Sequence, residues 1–271
     1  MNYGALLWSV RRELWENRSI YLAPLIVAAV IALASFGAVR HNLQPATMAS
    51  HDAIVAGALM GTTLLVAIFY CLDALYGERR DRSVLFWKSM PVSDWTAVLS
   101  KMAVPMIVLP VITFVLTIVT QLIMLLAASA YLSAHGRSAA ALWQLPWLQM
   151  TSGMLYHLVT VHSLYYAPLF GWLLLVSAWA KRQPFLWAFL PLAAIGVIEK
   201  IVFNTTHFAV MLGSRLSGGM DADPAKGSGM MMLWPSHPFE FLTRPGLWIG
   251  FALAAICVAI AVRLRRYRDP I

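Results

Sequence analysis

Six stretches of this sequence, 20–39, 54–76, 104–128, 155–180, 185–203 and 247–264, are nearly free of charge. Each is close to the roughly 20 residues that a helix needs to cross a bilayer. In hydrocarbon, no water satisfies backbone N–H and C=O groups, so runs of this kind must fold as helices. Charged residues make up 12% of the chain, about half of what a soluble domain carries. The expected fold is therefore all-α: a polytopic membrane bundle of six transmembrane helices. No internal repeat is visible, so residues 1–271 read as one membrane domain. The fifth run is the weakest, because Glu199 and Lys200 lie near its end. Pro105 and Pro110 fall in the third run, Pro168 in the fourth and Pro191 in the fifth. Membrane helices tolerate proline where neighbours satisfy the freed carbonyl.

Fourteen of the twenty Lys and Arg residues fall on one side of these spans, among them Arg11, Arg79, Lys88, Lys101, Lys181 and Arg265. The positive-inside rule then puts both termini in the cytoplasm. The net charge of +8 is dispersed between apolar runs, which favours lipid headgroups over nucleic acid as the anionic partner. Ahead of the first run, residues 1–19 space Tyr3, Leu6, Leu7, Val10 and Leu14 on a helical period, with Trp8 and Trp15 suited to the headgroup layer. This predicts an amphipathic interfacial helix. The first apolar run has no convincing small-residue cleavage site, so no cleavable signal peptide is expected. Cys71 and Cys257 both lie in apolar runs and suggest neither a disulfide framework nor a metal site. Residues 204–246 hold a Gly, Ser and Pro-rich tract that cannot be one continuous helix, and read as an external loop.

Enzymatic chemistry is poorly represented. There is no phosphate-binding G-x-x-x-x-G-K-[ST] loop and no G-x-S-x-G nucleophile motif. His157 and His162 are five apart, which separates them by about 140° on an ideal α-helix and suits no shared metal. Gly57 and Gly61 form a G-x-x-x-G, a common spacing that permits close helix packing. Thr113, Thr117 and Gln121 make a semi-polar stripe along the third span. Hydrogen bonding between helices explains it, and so does the lining of a substrate path. His162 and Tyr166 in the fourth span, and Glu199 in the fifth, are candidates for the same path.

The segment between the second and third spans, 77–103, breaks the apolar pattern most sharply. It reads YGERRDRSVLFWKSMPVSDW from Tyr76 to Trp95, mixing arginines with aromatic residues. Pro91 should end one short helical piece around 83–90, and Ser93 or Asp94 should cap a helix starting near Trp95. Such an apolar patch suits docking to lipid or to a partner protein.

Glu78-Arg79-Arg80, Ser83, Val84-Leu85-Phe86-Trp87, Pro91-Val92-Ser93 and Lys101 resemble the segment after the second span in permease subunits of ATP-binding-cassette type-2 transporters. That family has an acidic-basic cluster there, then a small residue, a leucine-rich helix, a Pro-Val-Ser turn and a lysine. The sequence departs from the pattern at DRSVLFWKSM, where a glycine-threonine pair and more leucines are usual. The resemblance implies a half-transporter, and an exporter, in the bacterial cytoplasmic (inner) membrane. A second permease copy, in a homodimer or heterodimer, and a separate cytoplasmic ATPase subunit would complete it. ATP and Mg would bind in that partner, with no cofactor and no catalysis in this chain. The ATPase-coupling contacts would be Glu78, Arg79 and Arg82 by charge and Phe86, Trp87, Met90 and Pro91 by packing. The residues by themselves equally allow a non-transporting membrane scaffold or assembly factor that recruits a cytoplasmic partner.

Overall fold

The computed structural model describes residues 3–39, 45–84, 86, 92–144, 147–216 and 240–267. Every regular element among them is helical. In chain order these are α1 (Tyr3–Glu16), α2 (Ser19–Val39), α3 (Pro45–Ala74), α4 (Tyr76–Arg80), α5 (Asp94–Ala134), α6 (Ala140–Trp143), α7 (Trp147–Tyr165), α8 (Ala167–Trp179), α9 (Pro184–Phe203), α10 (His207–Leu216), α11 (Glu240–Thr243) and α12 (Pro245–Tyr267). Four helical stretches are long and apolar enough to cross a membrane: Ile54–Arg80, Asp94–Ala134, Pro184–Phe203 and Pro245–Tyr267. Two bent pairs raise the number to six if each pair is one span: Gly4–Glu16 with Ser19–Ala34, bent by 58°, and Trp147–Tyr165 with Ala167–Trp179, bent by 43°.

The prolines mark where helices deviate. Pro168 has no N–H for the Leu164 carbonyl, and its ring crowds that carbonyl. The turn ahead of it relaxes into a π-helix, Leu158–Tyr165, in which the Tyr166 N–H reaches back to Val161 O (3.0 Å). The run 155–180 thus becomes two helices that meet at Tyr166. Pro105 and Pro110 produce a second π turn, Val104–Val108, but α5 continues through it. The expected third span, 104–128, is only part of this helix. Its 41 residues are roughly 60 Å long, about twice a bilayer's hydrocarbon, so one end must stand outside the apolar layer.

The main core joins α3, α5, α8 and α12 through residues such as Cys71, Val98, Leu109, Phe170, Leu174 and Ala261. The most extensive packing is between α8 and α12. Gly171 lets them approach: a Cβ there would stand 3.1 Å from Ala254 Cα. Gly61 of the G-x-x-x-G has nothing within 4 Å of an added Cβ among the described residues. At the periphery, α9 leaves most of its apolar surface outward, including Leu190, Ile198 and Ile201. That suits a lipid-facing helix, because lipid accepts such surface without cost.

Candidate functional site

At one end of the bundle, residues far apart in sequence form a buried ion network. It begins where α3 gives way to α4. Ser177 Oγ of α8 accepts from the N–H groups of Leu75 (3.0 Å) and Tyr76 (2.9 Å), which starts the short α4 turn. Arg79 Nη2 donates to Ser177 O (3.1 Å) and to Ala180 O, carbonyls at the C-terminal end of α8 that lack helical partners. This fixes α4 and directs Glu78 inward.

Glu78 is 8% exposed and meets cations from three other helices. Its Oε1 lies 3.1 Å from Lys101 Nζ of α5 and 3.4 Å from Arg12 Nη2 of α1, and its Oε2 pairs with Arg265 Nη1 of α12. Glu13 of α1, fully buried, accepts from Lys101 Nζ (2.9 Å), Arg12 Nη2 (2.8 Å) and Tyr70 OH of α3 (2.8 Å). Arg265 Nε also reaches Asp94 Oδ1 (3.2 Å), at the first residue of α5. Three carboxylates therefore balance three cations, with Glu16 at the rim 3.6 Å from Arg12 Nε. Balance matters because an unpaired buried charge costs several kcal/mol, by order of magnitude. Burial pushes the Glu13 carboxyl up, but the charge and hydrogen bond of Lys101, with those of Arg12, hold it below the usual carboxylate range.

The network holds both ends of the segment between α4 and α5. Glu78 anchors the first end and Asp94 the second. Ser93 caps α5 by accepting from Thr96 N–H (3.1 Å), as Ser93 or Asp94 was expected to do. Between these anchors Arg82 is exposed in a left-handed conformation (φ 57°) and turns the chain out of α4. Phe86 is 60% exposed. Trp87, Met90 and Pro91, and most of the expected helical piece at 83–90, lie outside the described residues. Of the expected coupling residues, Arg82 and Phe86 thus face outward, whereas Glu78 and Arg79 face into the protein.

The residues expected to line a path do not form one group. Thr113 and Thr117 are fully buried in α5. Thr113 Oγ1 bonds Thr63 Oγ1 of α3 and so links two helices, whereas Thr117 Oγ1 donates to Thr113 O (2.9 Å) within α5 itself. Gln121 is half-buried further along. His162 Nε2 lies 3.3 Å from Met60 O and must be its donor, and among the described residues its buried Nδ1 meets no partner. Tyr166 OH donates to Leu216 O (2.7 Å), at the end of α10. Glu199 serves the other end of α10, accepting from His207 N–H (2.7 Å), Phe208 N–H (2.8 Å) and Thr205 Oγ1 (2.9 Å). Glu199 and Tyr166 therefore bracket a helix that lies within the expected external loop, 204–246.

His157 and His162 come closer than an α-helix would bring them, with ring centroids 6.1 Å apart. The π-helix explains this, since its i→i+5 bonding brings residues five apart toward one face. Among the described residues no group of three His, Cys, Asp or Glu side chains is placed to hold a metal.

Glu13 and Arg265 were not read from the sequence as members of the network, and Lys101 was read only as the lysine that follows the Pro-Val-Ser turn in the resemblance. The available signal was acidic scarcity. The chain has only twelve Asp and Glu, so each one near a basic cluster has many suitors.

Comparison with known proteins adds no relative: no family model, no curated protein and no solved structure matches this chain.

Proposed function

We propose that this chain is the membrane-spanning subunit of an ATP-driven exporter, coupled to a separate cytoplasmic ATPase subunit and paired with a second permease copy. The observation that carries this reading is the attachment of the 81–93 segment. Both of its flanks enter one buried network that also holds α1 and α12. A push on the outward residues Arg82 and Phe86 would be borne by four helices together rather than absorbed by a loose loop. A motor needs such a handle, because it biases a two-state equilibrium only through contacts that differ between the states. In this reading one bent pair and one single helix complete the count. The pair α7 and α8 makes one span, α2 another, and α1 lies on the membrane surface, giving six spans with both termini in the cytoplasm of a bacterial inner membrane. The cargo class stays open among peptides, antibiotics, lipid-linked compounds and ions, since architecture does not fix cargo.

The test is co-purification of the ATPase with a Phe86→Ala/Trp87→Ala variant. The expected outcome is loss of the ATPase and of its stimulation by the membrane subunit, with the variant's thermal unfolding midpoint unchanged. Normal co-purification and turnover would remove the coupling assignment.

A further inference from the structure

The inward face of α1 is committed to the ion network through Glu13, and Ser9 on the same side is buried. That commitment sets the rotation of the helix and leaves a second face turned away from the bundle. Leu7, Trp8 and Trp15 on that face are 70%, 66% and 68% exposed. Between the two indoles lies the exposed Arg11, its guanidinium carbon 5.2 Å from the Trp8 ring centroid and 4.9 Å from that of Trp15. Among the described residues no carboxylate forms an ion pair with Arg11, whereas neighbouring Arg12 is held by Glu13, Glu16 and Glu78. Two adjacent arginines thus have opposite environments, one neutralised inside and one presented outside.

We infer that Trp8, Arg11 and Trp15 form a binding site for the phosphate of an anionic phospholipid. The two rings attract the guanidinium face by cation–π interaction and displace water from it. Its N–H edge stays available, and a guanidinium edge matches phosphate oxygens in a bidentate geometry. Indoles favour the headgroup layer, and Leu7 supplies an apolar contact toward the acyl chains. Charge complementarity selects the occupant, because the site carries one unneutralised cation on an aromatic and aliphatic surface. The inference rests on α1 lying at the membrane surface and needs no ATPase partner.

The experiment uses the full-length protein in mixed micelles of phosphatidylglycerol and phosphatidylcholine, with retained lipids counted by native mass spectrometry. Arg11→Gln is expected to retain about fivefold less phosphatidylglycerol, the change that about 1 kcal/mol per basic group near an anionic surface implies. Phosphatidylcholine should be unchanged, and the control Arg182→Gln, another exposed basic residue, should behave like the parent. If Arg11→Gln fails to fold, Trp15→Leu reads the same site and should lower phosphatidylglycerol retention in the same direction. Unchanged phosphatidylglycerol, or equal loss of both lipids, overturns the proposal. So does a variant that keeps its lipid but loses a co-purifying protein, since the face then belongs to that protein. A spin label at Leu7→Cys reports the depth of α1 separately. A label at the phosphate level supports the surface reading, and one in the hydrocarbon centre or in bulk water overturns both.

Discussion

Lys101 sits between two of the network's acids. It is 2% exposed and stands within 3.1 Å of two carboxylates, Glu13 and Glu78. Methionine would fill much of its volume but leave both acids without their central cation. Removing one partner of a buried pair typically costs about 3–5 kcal/mol. Lys101→Met should therefore lower the thermal unfolding midpoint in detergent markedly, and adding Glu13→Gln should recover part of the loss. A midpoint equal to the parent's would show that the network is not closed in solution. Asp52 presents the opposite situation. It is buried just before the apolar stretch Ile54–Arg80, and among the described residues neither carboxylate oxygen has a hydrogen-bond partner. Burial pushes its carboxyl up to about 7. Because the folded value exceeds the unfolded one, its contribution is complete below about pH 4 and is lost as pH rises toward 7. Stability should accordingly fall between pH 4.5 and pH 7.5 by roughly the 1–3 kcal/mol of an unsatisfied buried polar group, read as a lower thermal midpoint. Asp52→Asn should flatten that slope. A slope that persists in the variant would assign it to other groups.

Among the elements, the α8–α12 contact depends on one missing side chain. A Cβ at Gly171 would lie 3.1 Å from Ala254 Cα and 3.2 Å from Ala254 O, and backbone atoms cannot swing aside as a side chain does. Gly171→Ala should part the two helices by a few tenths of an ångström and cost about 1–3 kcal/mol, in line with other overpacked cores. Gly61→Ala, with nothing within 4 Å, should be neutral or slightly stabilising. Equal midpoints for the two variants would refute close approach at Gly171. The contrast also shows which parts of the fold the sequence makes legible. Apolar runs and the Ser93 cap can be read because hydropathy and capping are local. The division of 155–180 is not anticipated by the sequence, because Pro168 reads as tolerated within one span and i→i+5 bonding has no compositional mark. Gly171 was illegible for another reason: the partner backbone at Ala254 lies 83 positions away and leaves no trace nearby. Glu13, Glu78, Lys101 and Arg265 share that difficulty, because each looks solvated until the fold gathers them. The path candidates show the converse: a polar stripe fits packing and lining equally, and only Thr63 facing Thr113 shows what that hydroxyl binds.

Across the whole molecule, the structure gathers cations at one end of the bundle. Arg12, Lys101 and Arg265 meet in the network, Arg79 binds the end of α8, and Lys181 and Arg182 follow directly in sequence. The opposite end has Arg137 after α5 and Arg215, whose guanidinium lies over the Tyr165 ring, 4.4 Å from its centroid. The positive-inside rule counts Lys and Arg near the span ends whether or not acids pair with them in the folded protein, so these buried cations still count. Among the described residues, Arg11, Arg18, Arg80, Arg82, Lys181, Arg182, Arg263 and Arg266 add exposed cations on the same side. They outnumber, among the described residues, the exposed Arg137, Lys200 and Arg244 of the other side, which is the imbalance that the expected orientation requires. Cysteine labelling provides the check. Both native cysteines are buried, which keeps the background low. With a membrane-impermeant maleimide on intact cells, Arg137→Cys should label readily, while Arg82→Cys should label only after permeabilisation. The reverse pattern would turn the network, the 81–93 segment and Phe86 to the outside, where no ATP-hydrolysing partner could reach them.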